Sequence, residues 1–127
     1  MTDADDAAYQ RGLRVRREVL GDAHVDRALE SAGALSQPFQ DLITRYAWGD
    51  VWGREGLDRR TRSMLTLALL AALGHEHELA MHVRAAVRNG VTPDEIGEVL
   101  LHTAVYAGVP VTNRALVIAR EALADES

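Results

Sequence analysis

The sequence predicts an all-α protein, a single-domain bundle of about six to seven helices. Three observations carry this. Alanine and leucine are abundant while aromatic residues make up 5%, a balance that suits helix packed on helix better than a β-sandwich. Apolar residues recur at three- and four-residue spacing in several segments. No stretch alternates apolar and polar residues over a useful length, so no strand is predicted.

The elements follow in order. A first helix runs from about Asp5 to Leu20, with Leu13, Val15 and Val19 among Arg11, Arg14, Arg16 and Arg17, and Gly21 stops it. A short piece from Val25 to Ala32 ends at Gly33. A third helix opens near Ser36 with Pro38 in its first turn and carries Phe39, Leu42, Ile43, Tyr46 and Ala47 on one face. Gly49 and Gly53 are read as bracketing a turn that holds Trp48 and Trp52. Asp58 caps a fourth helix that ends before Gly74. There Leu65, Leu69 and Leu73 form one stripe, and Met64, Leu67 and Leu70 fill much of the rest, so burial on several sides is expected. A fifth helix spans about Glu76 to Asn89. Thr92-Pro93-Asp94-Glu95 is a capping box that starts a sixth helix, closed by Gly108. Pro110 opens a seventh, which runs to about Ala124.

At 127 residues the chain suffices for one domain, read as 1–127 with an N-terminal helical extension over about 1–35. A hydrophobic content of 47% argues against disorder, and a net charge of −5 against a nucleic-acid partner. All 14 basic residues are arginine, which removes lysine Schiff-base chemistry. There is no cysteine, so disulfides, thiol catalysis and iron–sulfur ligation are excluded. MTDADDAAYQRG lacks an apolar signal region, and no window approaches the ~20 apolar residues of a membrane helix. A cytoplasmic protein with no membrane association is expected.

Several residues could carry chemistry. Glu78 and His82 are four apart, one turn apart on one helix face. A carboxylate beside an imidazole fixes its tautomer and favours its protonated form, which equips it for proton transfer near neutral pH. The plainer reading is a surface pair worth a few tenths of a kcal/mol. His75, Glu78 and His82 also have donor atoms for zinc, manganese or iron, but HxxExxxH is no established ligand motif, and no metal is expected. His102, followed by Tyr106 one turn later, reads as a core or interface histidine. Arg59, Arg60 and Arg62 open the fourth helix, where cations oppose the helix dipole. They either serve an anion or pair with Asp50, Glu55 and Asp58.

The motifs RREVLGDAHVDR (16–27), FQDLITRYAWGDVW (39–52), LDRRTRSMLTLALLAAL (57–73), ELAMHVRAAVRNGVTPDEIGEVLLH (78–102) and YAGVP (106–110) resemble the γ-carboxymuconolactone decarboxylase family along nearly the whole chain. The C-terminal half is also similar to the wider alkylhydroperoxidase-like superfamily. Peroxidases of that superfamily place CxxC four residues before a histidine. Counted back from His82, the cysteine positions are His75 and Glu78, so thiol-peroxidase activity does not carry over.

The resemblance implies an alkylhydroperoxidase-like fold and a cofactor-independent reaction. The family removes CO2 from 4-carboxymuconolactone (2-carboxy-5-oxo-2,5-dihydro-2-furylacetate), giving 3-oxoadipate enol-lactone in protocatechuate breakdown by the β-ketoadipate pathway. On that basis His82 is the expected proton donor, Glu78 orients and tunes it, and Arg62 or Arg59 anchors a substrate carboxylate. His102 and Tyr106 are further candidates for the lactone oxygen. The family also implies a homo-oligomer, a hexamer built as a trimer of dimers. Competing readings are a cofactor-free lyase or isomerase on a related lactone, a metal-dependent oxidoreductase and a non-catalytic helical assembly protein.

Overall fold

The computed structural model describes residues 2–125; Met1, Glu126 and Ser127, the ends of the expected 1–127 domain, lie outside them. Seven α-helices and one π-helical segment account for most of the chain, with no strand among the described residues. The chain packs as two compact units, Met1–Leu57 and Asp58–Ser127.

The first unit contains α1 (Asp3–Leu20), α2 (Asp22–Ser31), α3 (Gly33–Ile43) and the π-helical segment Thr44–Trp52. Thr2 caps α1 by accepting from the Asp5 N–H at 3.0 Å. The expected start of the third helix near Ser36 is corrected: α3 begins at Gly33, and Pro38 lies inside it. Gly33, at φ 64°, breaks the helix after its C-cap Ala32 as expected, and α3 resumes at once from it.

The expected turn between Gly49 and Gly53 is also corrected, because these residues continue the helix with π geometry. The reason lies in α1. A Cβ added at Gly12 would collide with the Thr44 carbonyl, and one at Gly49 would stand 2.6 Å from the Ala8 carbonyl oxygen. Two glycines thus allow the backbones of α1 and the π segment to touch. Trp48 packs with Val15 and Val19 in the small core beside this crossing. The Trp48 and Trp52 rings lie 5.1 Å apart, tilted by 34°.

The second unit comprises α4 (Arg59–Leu73), α5 (Glu76–Arg88), α6 (Pro93–Ala107) and α7 (Val109–Asp125). α4 and α7 each pack against both α5 and α6. Leu67, Leu79, Val83, Ile96, Leu100 and Ile118 lead its core, and each such buried side chain contributes about 1.5–3 kcal/mol. Gly74 at φ 77° closes α4, and the His75 N–H donates to the Leu70 carbonyl at 3.0 Å across it. The predicted capping box is present, with the Glu95 N–H donating to Thr92 Oγ1 at 3.1 Å and the Thr92 N–H to Glu95 Oε1 at 3.0 Å.

Burial of α4 on several sides does not occur within the chain. Leu65, Leu69 and Leu73 are 49%, 59% and 66% exposed, whereas Leu67 and Ala71 on the opposite stripe are buried. One face of α4 is enough to seat it on α5, α6 and α7.

Asp58 caps α4, its carboxylate accepting from the Thr61 N–H at 2.7 Å. That hydrogen bond, helped by nearby Arg60, holds the Asp58 carboxyl below its usual range. A carboxyl held low in the folded state stabilises above its unfolded pKa and loses that contribution as pH falls through the folded one. The midpoint gap between wild type and Asp58→Ala should therefore be constant above about pH 4 and close under more acidic conditions, as read by circular-dichroism melts. A gap unchanged down to pH 2 would contradict this.

Candidate active site

All six predicted site residues fall in the second unit, and the structure sorts them by environment. His82 lies on the packed face of α5 beside Leu79, Val83 and Ala86 and is 8% exposed, with Nδ1 buried. Glu78, one turn earlier, is exposed. The boundary between core and surface therefore runs between the two. Arg59 and Arg62, in the first turn of α4, are half-buried, and Arg62 Nε is fully buried.

His102 and Tyr106 on α6 are both exposed, Tyr106 at 81%. The reading of His102 as a core histidine is corrected: its ring meets Tyr106, centroids 5.3 Å apart at 42°, on the outside of α6. α6 turns Ile96, Leu100 and Thr103 inward, and His102 falls off that face.

Two regions compete as a substrate site. The first is a groove of about 450 Å³ between α4 and α6, lined by Thr61, Met64, Leu65, Ala68, Glu95, Glu98, Val99 and His102. Its walls are largely apolar, and its charges are two carboxylates. Glu95 already serves the capping box and forms an ion pair with Arg60. Arg60 thus has an ion-pair partner outside Asp50, Glu55 and Asp58, the carboxylates that one of the two readings of the arginine cluster assigned to it. A multiply charged anion is repelled here by Glu98, which has no cation paired with it among the lining residues.

The second region is the α4–α5 seam. Asn89 Nδ2 donates to Ser63 Oγ at 3.1 Å, and Ser63 is 1% exposed. This bond ties Ser63, just past the first turn of α4 that carries Arg59 and Arg62, to the C-cap of α5. His82 lies seven residues before Asn89, about 10 Å along the helix at 1.5 Å per residue. The start of α4 thus carries two arginines at one end of the α4–α5 pair, and further along α5 holds the imidazole on its packed face among apolar residues. Anion binding plus proton transfer is the chemistry such an arrangement supports.

Sequence reasoning missed Ser63 and Asn89. Their signal was available: Ser63 shares the 63/67/71 stripe of α4, so a polar residue stands on an otherwise buried line. Thr61, Glu95 and Glu98 of the groove were missed as well, because only tertiary packing sets α4 beside α6. The His75, Glu78 and His82 spacing assembles no ligand set; among the described residues no group of three histidines, aspartates or glutamates could hold a metal ion. No helix among the described residues is long and apolar enough to cross a membrane.

Comparison with known proteins adds to this geometry. Residues 37–121 match the sequence pattern of the carboxymuconolactone decarboxylase family. The chain is 52% identical over 121 residues to the 4-carboxymuconolactone decarboxylase of Acinetobacter baylyi, covering 95% of this chain and 90% of that protein. It is 44% identical over 117 residues to the nitrosuccinic acid decarboxylase of Metarhizium robertsii, covering 92% and 82%. A 42-residue stretch, 33% of the chain, is 57% identical to a 4-carboxymuconolactone decarboxylase of Pseudomonas putida and covers 88% of that sequence.

Proposed function

The chain belongs to the carboxymuconolactone decarboxylase family, and from that premise we propose that it releases CO2 from 4-carboxymuconolactone to give 3-oxoadipate enol-lactone. The observation that carries the reading is 52% identity to a named decarboxylase across 95% of the chain. The α4–α5 seam supports it chemically.

The leaving carboxylate sits on the ring carbon γ to the lactone carbonyl, across a conjugated double bond. Cleavage of that C–C bond sends its electron pair through the double bond onto the carbonyl oxygen, and CO2 departs. The resulting dienolate takes one proton at the carbon α to the carbonyl. The substrate is its own electron sink, the task that pyridoxal or thiamine performs elsewhere.

The residues divide the remaining work. Arg62 or Arg59 holds the acetate carboxylate through its planar fork. Protonated His82 delivers the proton and is recharged from solvent. The exposed Glu78 steadies the imidazolium one turn away. His102 and Tyr106 lie outside the seam, so any donation they make to the lactone oxygen belongs to an assembled oligomer.

A homo-oligomer, a trimer of dimers, fits the exposed Leu65–Leu69–Leu73 stripe, since symmetric closure buries such a face. Light scattering after size exclusion should give the wild type a multiple of 13.9 kDa, and Leu69→Arg should shift it toward monomer. Wild type at monomer mass at micromolar concentration would refute the assembly. We place the reaction in the cytoplasm, within protocatechuate catabolism.

A second reading draws on the nitrosuccinic acid decarboxylase relative. Nitrosuccinic acid also carries its own electron acceptor, the nitro group, so the same donors would suit it. Incubation with each acid separates the two. Evolution of CO2 and growth of the enol-lactone absorbance with 4-carboxymuconolactone, at rates well above those with nitrosuccinate, are expected. No CO2 from the lactone would overturn the proposal.

A further inference from the structure

Arg16 is buried in the first unit without a carboxylate. It is 4% exposed. Both of its hydrogen bonds leave from Nη1, to Gln40 Oε1 at 2.9 Å and Thr44 Oγ1 at 3.3 Å. Both acceptors are neutral. Nε is fully buried and has no acceptor, and Nη2 carries neither of the two bonds. A guanidinium stays charged at any ordinary pH. A buried charge with only neutral partners is costly to the fold.

The surroundings do not supply the missing charge. Burial is the leading influence on Arg16 and weakens its hold on the proton. The Tyr9 hydroxyl offsets part of that effect, and it is no carboxylate. Arg17 adds a like charge, while its own guanidinium is engaged by Asp22 and Asp26. The chain's own acceptors therefore use one corner of the Arg16 fork. The Nε–Nη2 edge, where a carboxylate binds side-on through two parallel hydrogen bonds, is left over. Arg16 lies outside residues 37–121, the span of the family match.

We propose that Arg16 is the receptor of a carboxylate-binding site within the first unit, taking a small organic acid on its Nε–Nη2 edge. A carboxylate there supplies the counter-charge and both missing acceptors at once. The occupant is a small molecule because the residue keeps only 4% of its surface, too little to receive the face of a helix. The inference is independent of the decarboxylation reading, since it concerns binding alone.

The test is a titration of the full-length protein with succinate, followed by the Nε–H resonance of Arg16 in ¹⁵N-labelled protein. The resonance is assigned by its loss in Arg16→Lys. It should shift saturably with succinate and stay still with succinamide, the neutral isostere. The shift should persist in Arg62→Ala, which lacks the anion-binding arginine of the proposed reaction. Succinate should also raise the thermal midpoint of Arg62→Ala, and Arg16→Gln placed on that background should lose the rise. Because Arg16→Gln can itself disturb packing, Gln40→Leu serves as a second variant. It removes a neutral acceptor, so it should melt lower when ligand-free and gain a larger rise from succinate.

An unmoved Arg16 resonance overturns the proposal, as does a succinate rise in Gln40→Leu no larger than in wild type. If the resonance moves with protein concentration and not with succinate, the carboxylate belongs to a second copy of the chain and the proposal also fails.

Discussion

Replacing His82 with alanine is expected to cut lactone turnover by about 10²–10⁴-fold, the usual contribution of a positioned acid or base. His82 is 8% exposed on α5, so solvent reaches it poorly and water is an inefficient substitute for its proton. The residue also packs beside Leu79 and Val83, and truncation leaves a cavity. His82→Gln, which keeps most of the volume, separates the two effects: it should melt close to wild type and still lose turnover. Reaction in D2O adds a readout that packing alone does not move. Wild type should place one deuterium at the ring carbon α to the lactone carbonyl, on a single face. His82→Gln should lose that facial preference. Turnover within about threefold of wild type in His82→Gln, where a proton donor is worth at least 10²-fold, would remove the histidine from the mechanism.

The second large effect concerns stability. Gly12→Ala adds a single methyl group, yet that group collides with the Thr44 carbonyl and stands 3.0 Å from the Gly49 N. The obstacle is backbone on both counts, so no side chain can swing aside. Overpacking of this kind costs about 1–3 kcal/mol and more where the backbone itself must move. We expect Gly12→Ala to lose about 3 kcal/mol and to melt at least ~10 °C lower, given the ~4–8 °C per kcal/mol of a small domain. Ala is the better helix former, so intrinsic propensity alone predicts the opposite sign. A midpoint at or above wild type in a differential scanning trace would show that α1 and the π segment are not in contact at this position.

These two residues mark where sequence reasoning reaches its limit. His82 was legible because its spacing from Glu78 is local and its position matches a family motif. Its burial was not: the face that α5 turns inward is chosen by α4 and α7, and that choice splits Glu78 from His82. His102 shows the same gap in reverse. Flanked by Leu101 and Val105, it reads as a core or interface residue, and the core half of that reading fails because those neighbours are themselves 61% and 75% exposed. An apolar stripe says that some surface must be covered and is silent on what covers it. Gly12 was invisible, because a glycine within a helix has meaning only through the element that crosses it.

By itself the sequence determined the all-α class, the capping box at Thr92, the cap at Asp58, the stop at Gly74 and the family, since all of these depend on residues near one another in the chain. Tertiary structure alone decided the π-helical course of Thr44–Trp52, the Arg60–Glu95 ion pair, the Ser63–Asn89 tie and the burial of Arg16. Each of those depends on which backbone or side chain from a distant part of the chain arrives alongside, and helical periodicity carries no record of that neighbour.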